Sequence, residues 1–154
     1  ALSEALELRA PEAAYGWALR AGASGGKGAL ARADRLERLM PMEAILRNQQ
    51  NLLPDGQIPS VTLNSIASIR AQARARLTGR GETRAYARAA MWAMIGAAAG
   101  DPECAAILDE IDEKIRFTTP EDQAVWASAE ENASALATEA WLQFDMPKRL
   151  KGEN

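Results

Sequence analysis

Apolar residues recur along this chain at the spacing of helix faces. Between residues 28 and 40 these positions are Leu30, Ala33, Leu36, Leu39 and Met40. Between residues 61 and 78 they are Leu63, Ile66, Ile69 and Ala73. Steps of mostly three or four residues place side chains on one face of an α-helix, whereas a half-buried strand requires strict alternation. No segment alternates in this way, so the pattern predicts an all-α protein.

Prolines and glycines divide the pattern into segments. They predict helices over residues 2–9, 11–24, 28–40, 41–53, 61–78, 82–99, 102–115 and 120–144, with a loop at 54–60. The last start is the best marked, because Thr119 can act as N-cap and Pro120 lacks the N–H that a first helical residue would leave unpaired. Glu121 and Asp122 then complement the positive end of the helix dipole.

Composition indicates closely packed helices in one domain. Of the 154 residues, 47% are hydrophobic but only 5% are aromatic, and alanine supplies the largest share. Alanine is the best helix former and has the smallest side chain that a helix interface can use. We therefore predict a single helical domain over residues 1–146, in which antiparallel hairpins form a short solenoid-like array with a closing C-terminal helix. Residues 147–154 are predicted to form a basic tail.

The sequence repeats itself loosely at an offset of 75 positions. This offset places Trp17 on Trp92 and Gly25 on Gly100. In a helical hairpin, such a tryptophan would anchor the first helix in the core. The glycine would end that helix, because it accepts a positive φ. We interpret the two segments as copies of one hairpin.

These segments resemble the second helix of a Sel1-like repeat, a branch of the tetratricopeptide-like α/α repeats. The motif residues are Ala14, Trp17, Ala21, Gly22 and Gly25 in the first copy, and Ala89, Trp92, Gly96, Ala97 and Gly100, followed by Asp101, in the second. The resemblance covers about residues 11–39 and 83–143, while residues 41–81 are either a degenerate repeat or an insertion. It implies a curved surface that binds other proteins, in adaptor or regulatory roles within bacterial complexes, often on exported proteins.

The residue types present exclude several kinds of chemistry. The chain has no histidine and one cysteine, Cys104, so it cannot form a Cys–His nucleophile pair, an internal disulfide or a thiolate metal cluster. Gly26 and Lys27 are followed by glycine rather than serine or threonine, and a helix precedes them, so this is not a phosphate-binding loop. No apolar run reaches the roughly 20 residues that span a bilayer. We predict no cofactor, no metal site and no enzymatic activity.

Charged residues form two clusters along the chain. Acids of the last third fall on polar helix faces, which favours a solvated surface over a catalytic or calcium site. The basic cluster comprises Arg70, Arg74, Arg76, Arg80, Arg84 and Arg88. One interpretation is a patch for nucleic acid or another anionic surface. The preferred interpretation is that these arginines face acidic helices within the fold or on a partner.

The predicted function is protein–protein interaction, as a scaffold or regulatory adaptor. Candidate partner-binding residues are the six arginines together with Trp126 and Trp141 of the last helix. The alternative is an accessory subunit of a larger envelope or secreted complex, docking through residues 70–88. Nucleic-acid binding and an unrecognised enzyme rank below both, since the net charge is −3 and general affinity for nucleic acid needs a basic surface. The start at Ala1 favours a periplasmic or secreted location over a cytoplasmic one.

Overall fold

The computed structural model describes residues 2–54 and 60–146, with side chains for 11–54 and 62–146. Seven α-helices lie in this part of the chain: α1 (Leu2–Ala23), α2 (Ala29–Glu37), α3 (Met42–Asn51), α4 (Ile66–Thr78), α5 (Tyr86–Ala98), α6 (Pro102–Arg116) and α7 (Pro120–Gln143). A short 3-10 helix occupies Ser60–Asn64. The described residues contain no strand, so the all-α prediction is confirmed. The predicted tail at 147–154 and most of the predicted loop lie outside these residues.

α1 continues through the position where the sequence predicts a break. Pro11 lies inside α1 rather than at the start of a second helix. A proline inside a helix removes one backbone hydrogen bond, but the flanking alanines, leucines and glutamates are strong helix formers and the helix continues. The separate helices predicted at 2–9 and 11–24 are therefore one element, and the predicted boundary is wrong.

Side-chain caps decide where three of the helices begin. Thr119 caps α7 through its hydroxyl, as predicted, and Asp101 caps α6 through its carboxylate. Ser65 caps α4, so the helix predicted from residue 61 begins only at Ile66. Each cap satisfies a backbone N–H that the first turn would otherwise leave unpaired.

α5 is the central helix of the fold. It packs against α4, α6 and α7 and also contacts α3, and its buried residues are Tyr86, Ala89, Ala90, Met91, Trp92, Ala93, Ile95 and Gly96. The approach to α6 is close, because a methyl group on Gly96 would overlap Sγ of Cys104. The consecutive pairs α1–α2, α4–α5 and α5–α6 thus pack as hairpins. α7, however, contacts both α3 and α5, so these contacts do not establish the solenoid-like array.

The two predicted hairpin corners are both present. Gly25 and Gly100 have φ values of 85° and 94°, in the left-handed region that favours glycine. Before each corner, a second glycine is covered by a side chain of the next helix: Gly22 by Leu30, and Gly96 by Cys104. These pairs align at an offset of 74 positions rather than 75. The residues that pack between the helices of the two hairpins therefore correspond at an offset that is one position shorter than the offset of the sequence match.

The two matched tryptophans lie in different environments. Trp92 is 1% exposed, as predicted, whereas Trp17 is 68% exposed. One residue corresponds to a rotation of about 100° around a helix, which turns Trp17 away from the face that buries Tyr15 and Leu19. The prediction that Trp17 anchors the core is wrong. The guanidinium of Arg20 lies 5.5 Å from the Trp17 ring centroid instead.

Candidate functional site

Four arginines of the stretch 70–88 form ion pairs within the chain. They pair as follows: Arg70 with Asp101 and Glu103, Arg74 with Glu110, Arg76 with Glu82, and Arg84 with Asp34 and Glu37. The shortest of these pairs join α4 to α6 and the start of α5 to α2. The interpretation that the arginines face acidic helices within the fold therefore describes Arg70, Arg74 and Arg84.

The six arginines do not share one accessible surface. Arg76 and Arg84 are only 5% and 4% exposed, so neither is available to a partner in this structure. Arg80 is exposed and Arg88 is half-buried, and neither has an ion-pair partner among the described side chains. The helix predicted from residue 82 begins only at Tyr86, because residues 82–85 are extended or turning and bring the Arg84 side chain inward.

The two candidate tryptophans of α7 differ in their accessibility. Trp126 is 4% exposed, so it belongs to the core rather than to a partner-binding surface. Trp141 is half-buried and packs against the core. Of the two, Trp141 alone keeps an exposed part.

Glu37 lies at the centre of a buried polar network and was not among the predicted site residues. Its side chain is 8% exposed. Tyr15 Oη and Arg84 Nη1 donate to Glu37 Oε2 at 2.8 Å and 2.6 Å. Tyr86 Oη donates to Glu37 Oε1 and accepts from Lys114 Nζ at 2.6 Å. The network thus links α1, α2, α5 and α6 around one carboxylate.

Gln49 on α3 extends this network to a fifth helix. Its Nε2 donates to Tyr15 Oη at 2.9 Å, and its Oε1 accepts from the backbone N–H of Tyr86 at 2.9 Å. The Arg84 guanidinium donates further to the carbonyl of Thr78 at 3.0 Å. The buried carboxylate and guanidinium are therefore paired and hydrogen-bonded, which burial of a charge requires.

A cleft of about 700 Å³ lies beside this network. Its lining residues are Asp34, Glu37, Arg38, Met40, Met42, Ile45, Tyr86, Lys114, Ile115, Phe117, Thr118, Thr119 and Asp122. Phe117 is 78% exposed, and Leu39, between the lining residues Arg38 and Met40, is 69% exposed. The cleft therefore combines a polar wall that is already hydrogen-bonded with apolar side chains that face solvent.

Two tyrosines of the Glu37 network and the cysteine of α6 have raised pKa values. Burial raises the pKa of Tyr15 and of Tyr86, and the Glu37 carboxylate raises both further. Burial also raises the pKa of the Cys104 thiol to about 12. The two tyrosine hydroxyls and the Cys104 thiol therefore stay protonated at neutral pH. The described side chains contain no group of three acidic or sulfur ligands that could hold a metal ion.

The sequence contains one indication that Glu37 is buried. Glu37 lies at helical spacing from Ala33 and Met40, both of which are buried, so it occupies the apolar face of α2. Leu39, which the sequence places on that face, is exposed. An acid on an apolar face indicates a buried, paired carboxylate. Its hydrogen-bond partners lie 22 to 49 positions away in the sequence, so the spacing within α2 does not identify them.

Comparisons with protein-family models, with curated proteins and with solved structures find no match to this chain. The resemblance to Sel1-like repeats therefore stays a prediction. Within the described ranges, no helix combines the length and hydropathy needed to cross a membrane.

Asp101 makes stability depend on pH. Hydrogen bonds from Arg70, and a further one from the Cys104 N–H, lower its pKa from 3.8 to about 2. A carboxyl with a depressed folded pKa contributes stability that is present above its unfolded pKa and is lost as pH falls towards the folded one. We expect the free energy of unfolding to fall between about pH 5 and pH 2, and less steeply in Asp101→Asn. Urea unfolding across this pH range measures how the free energy of unfolding depends on pH in both proteins. Equal pH dependence would exclude a contribution of Asp101.

Proposed function

We propose that this protein is a non-enzymatic interaction module that binds a segment of another protein in the cleft between α2, α3 and the α6–α7 corner. The observation that carries the proposal is that Phe117, a large apolar side chain that is 78% exposed, lines this cleft. Scattered exposed apolar residues are ordinary, but large ones beside a concave apolar site are typical of interaction surfaces. The Sel1-like resemblance supports the same adaptor or scaffold role.

The lining of the cleft favours a partner segment with an apolar anchor. Met42, Ile45 and Ile115 provide an apolar wall. The charged groups of the polar wall, Glu37 and Lys114, already contact each other through Tyr86 and directly at 3.6 Å. An aliphatic or aromatic side chain could enter without leaving a buried charge unpaired, which would otherwise oppose binding. Exposed charges around the cleft then provide a polar rim.

The alternative, docking through residues 70–88, receives less support from the contacts. Internal carboxylates already pair with Arg70, Arg74, Arg76 and Arg84. A partner that used these side chains would have to compete with the internal pairs, and separating a buried pair costs free energy.

Selection from a random-peptide display library tests the cleft directly. We expect selected peptides to share an aliphatic or aromatic anchor residue. Because a buried apolar anchor contributes on the order of 1.5–3 kcal/mol, Phe117→Ser is expected to weaken their binding by at least about tenfold. Fluorescence polarisation with the purified protein measures the dissociation constants.

Trp17→Ser is the matched control, because Trp17 is equally exposed but does not line the cleft. This variant should bind the selected peptides as the unmodified protein does. Equal loss in both variants, or peptides without a shared apolar anchor, would contradict the proposal. Binding that falls steeply with salt and extends to any oligonucleotide would favour the nucleic-acid alternative instead.

A further inference from the structure

A second cavity, of about 410 Å³, lies between α3, the start of α5 and α7. Its polar lining includes Arg47, Gln50, Arg88 and Asn132, and its apolar lining includes Leu46, Met91 and Leu136. Two guanidiniums and no carboxylate line this cavity. Arg47 is already paired with Glu12 at 2.5 Å and with Glu43 at 3.7 Å, so Arg88 is the guanidinium of this lining that has no carboxylate partner among the described side chains.

Arg88 differs in its charge pairing from Arg76 and Arg84, the other arginines of the stretch 70–88 that are largely shielded from solvent. Arg76 and Arg84 are each paired with a carboxylate. Arg88 is half-buried, and no described carboxylate pairs with it. Burial lowers its pKa, and its charge also lowers the pKa of Arg76. A half-buried cation without a counter-charge carries part of the cost of burying a charge, and a ligand that supplies the missing negative charge would relieve that cost.

The backbone adds positive potential at the same wall. Ala85, Ala87 and Arg88 line the cavity, and α5 begins there. Ala85 provides no side-chain cap, and the first turn contains no acidic residue. Gln49 Oε1 accepts from the N–H of Tyr86 in this first turn, but no acidic side chain of the turn balances the positive end of the helix dipole beside Arg88.

We propose that this cavity binds a small organic anion, a carboxylate with a short aliphatic body, whose charged end pairs with Arg88 and whose apolar end lies along Leu46, Met91 and Leu136. Arginine presents a planar set of donors that matches both oxygens of a carboxylate. The amide groups of Gln50 and Asn132 supply further hydrogen-bond donors. A cavity of this size, with apolar walls and a few polar groups, is typical of small-molecule sites. This site is separate from the proposed peptide cleft.

Isothermal titration with octanoate tests the proposal. We expect one octanoate per chain, with a dissociation constant below about 1 mM. Octanol keeps the aliphatic body without the charge, and acetate keeps the charge without the body. Each should bind at least about tenfold more weakly, because a charge-assisted hydrogen bond or a buried aliphatic chain is lost.

Arg88→Gln should reduce octanoate affinity at least about tenfold, while circular dichroism shows the same helical content. Arg80→Gln is the matched control, because Arg80 belongs to the same basic stretch but is exposed and lies outside the cavity lining. It should leave the affinity unchanged. The absence of octanoate binding, equal affinities for octanoate and octanol, or equal affinities of the two variants would each overturn the assignment.

Discussion

Replacing Glu37 with alanine is expected to lower the free energy of unfolding by about 3–5 kcal/mol. The substitution removes the main partner of the Arg84 guanidinium, whose side chain is 5% exposed. It also removes the acceptor of the Tyr15 and Tyr86 hydroxyls. Two buried hydroxyl donors would then lack an acceptor, and the buried Arg84 would keep only the exposed Asp34 and the Thr78 carbonyl as partners. Each unsatisfied group adds a desolvation cost. Urea unfolding followed by circular dichroism measures the change.

Asp34→Ala provides the control for this prediction. Asp34 contacts the same Arg84 nitrogen, at 2.7 Å, but its side chain is 51% exposed. Solvent screens such a pair, so its loss should cost less than about 1 kcal/mol. If both substitutions cost the same, the Glu37 network does not stabilise the fold in the way its burial indicates.

Trp92→Ala is the second large expected effect, with a loss of about 3–5 kcal/mol in the free energy of unfolding. Trp92 is 1% exposed and lies on the central helix α5. Truncation to alanine removes buried apolar area and leaves a cavity that the surrounding helices can only partly fill. Chemical denaturation of the variant and of the unmodified protein gives the difference.

Trp17→Ala tests whether Trp17 is buried like Trp92, its counterpart at the sequence offset of 75. If the offset of 75 described the packing, Trp17 would equal Trp92 in burial and the two substitutions would cost the same. Because Trp17 is 68% exposed, we expect its truncation to cost less than about 1 kcal/mol. A loss near that of Trp92→Ala would show that Trp17 is buried in solution.

Local sequence signals predicted most helix positions and failed where a tertiary contact intervened. The Thr119 cap and the glycine corners depend on neighbours within a few residues, and the structure has them as predicted. The helix predicted from residue 82 begins only at Tyr86, because the Arg84 side chain turns inward to pair with α2 and its backbone is not helical. Pro11 was assigned a helix start although α1 continues through it.

The candidate sites were harder to predict, because their residues converge from distant segments. The arginine stretch was identified from composition, but Arg76 and Arg84 are buried in ion pairs. Glu37 and the cleft beside it were not identified at all. The face of α2 was assigned through Leu39, and a shift of one or two positions on a helix exchanges buried and exposed side chains.

The sequence by itself determined that this chain is helical, where most of its helices begin and end, and that two glycine corners form hairpins. Those properties depend on propensity, capping and backbone conformation, which act between residues close in the chain. Only the tertiary structure decided that Trp17 faces solvent, that Glu37 has partners on several helices and that Arg88 has no carboxylate partner among the described side chains. Those outcomes depend on helix rotation and on side chains as far apart in the sequence as Glu37 and Lys114, which helical periodicity does not encode.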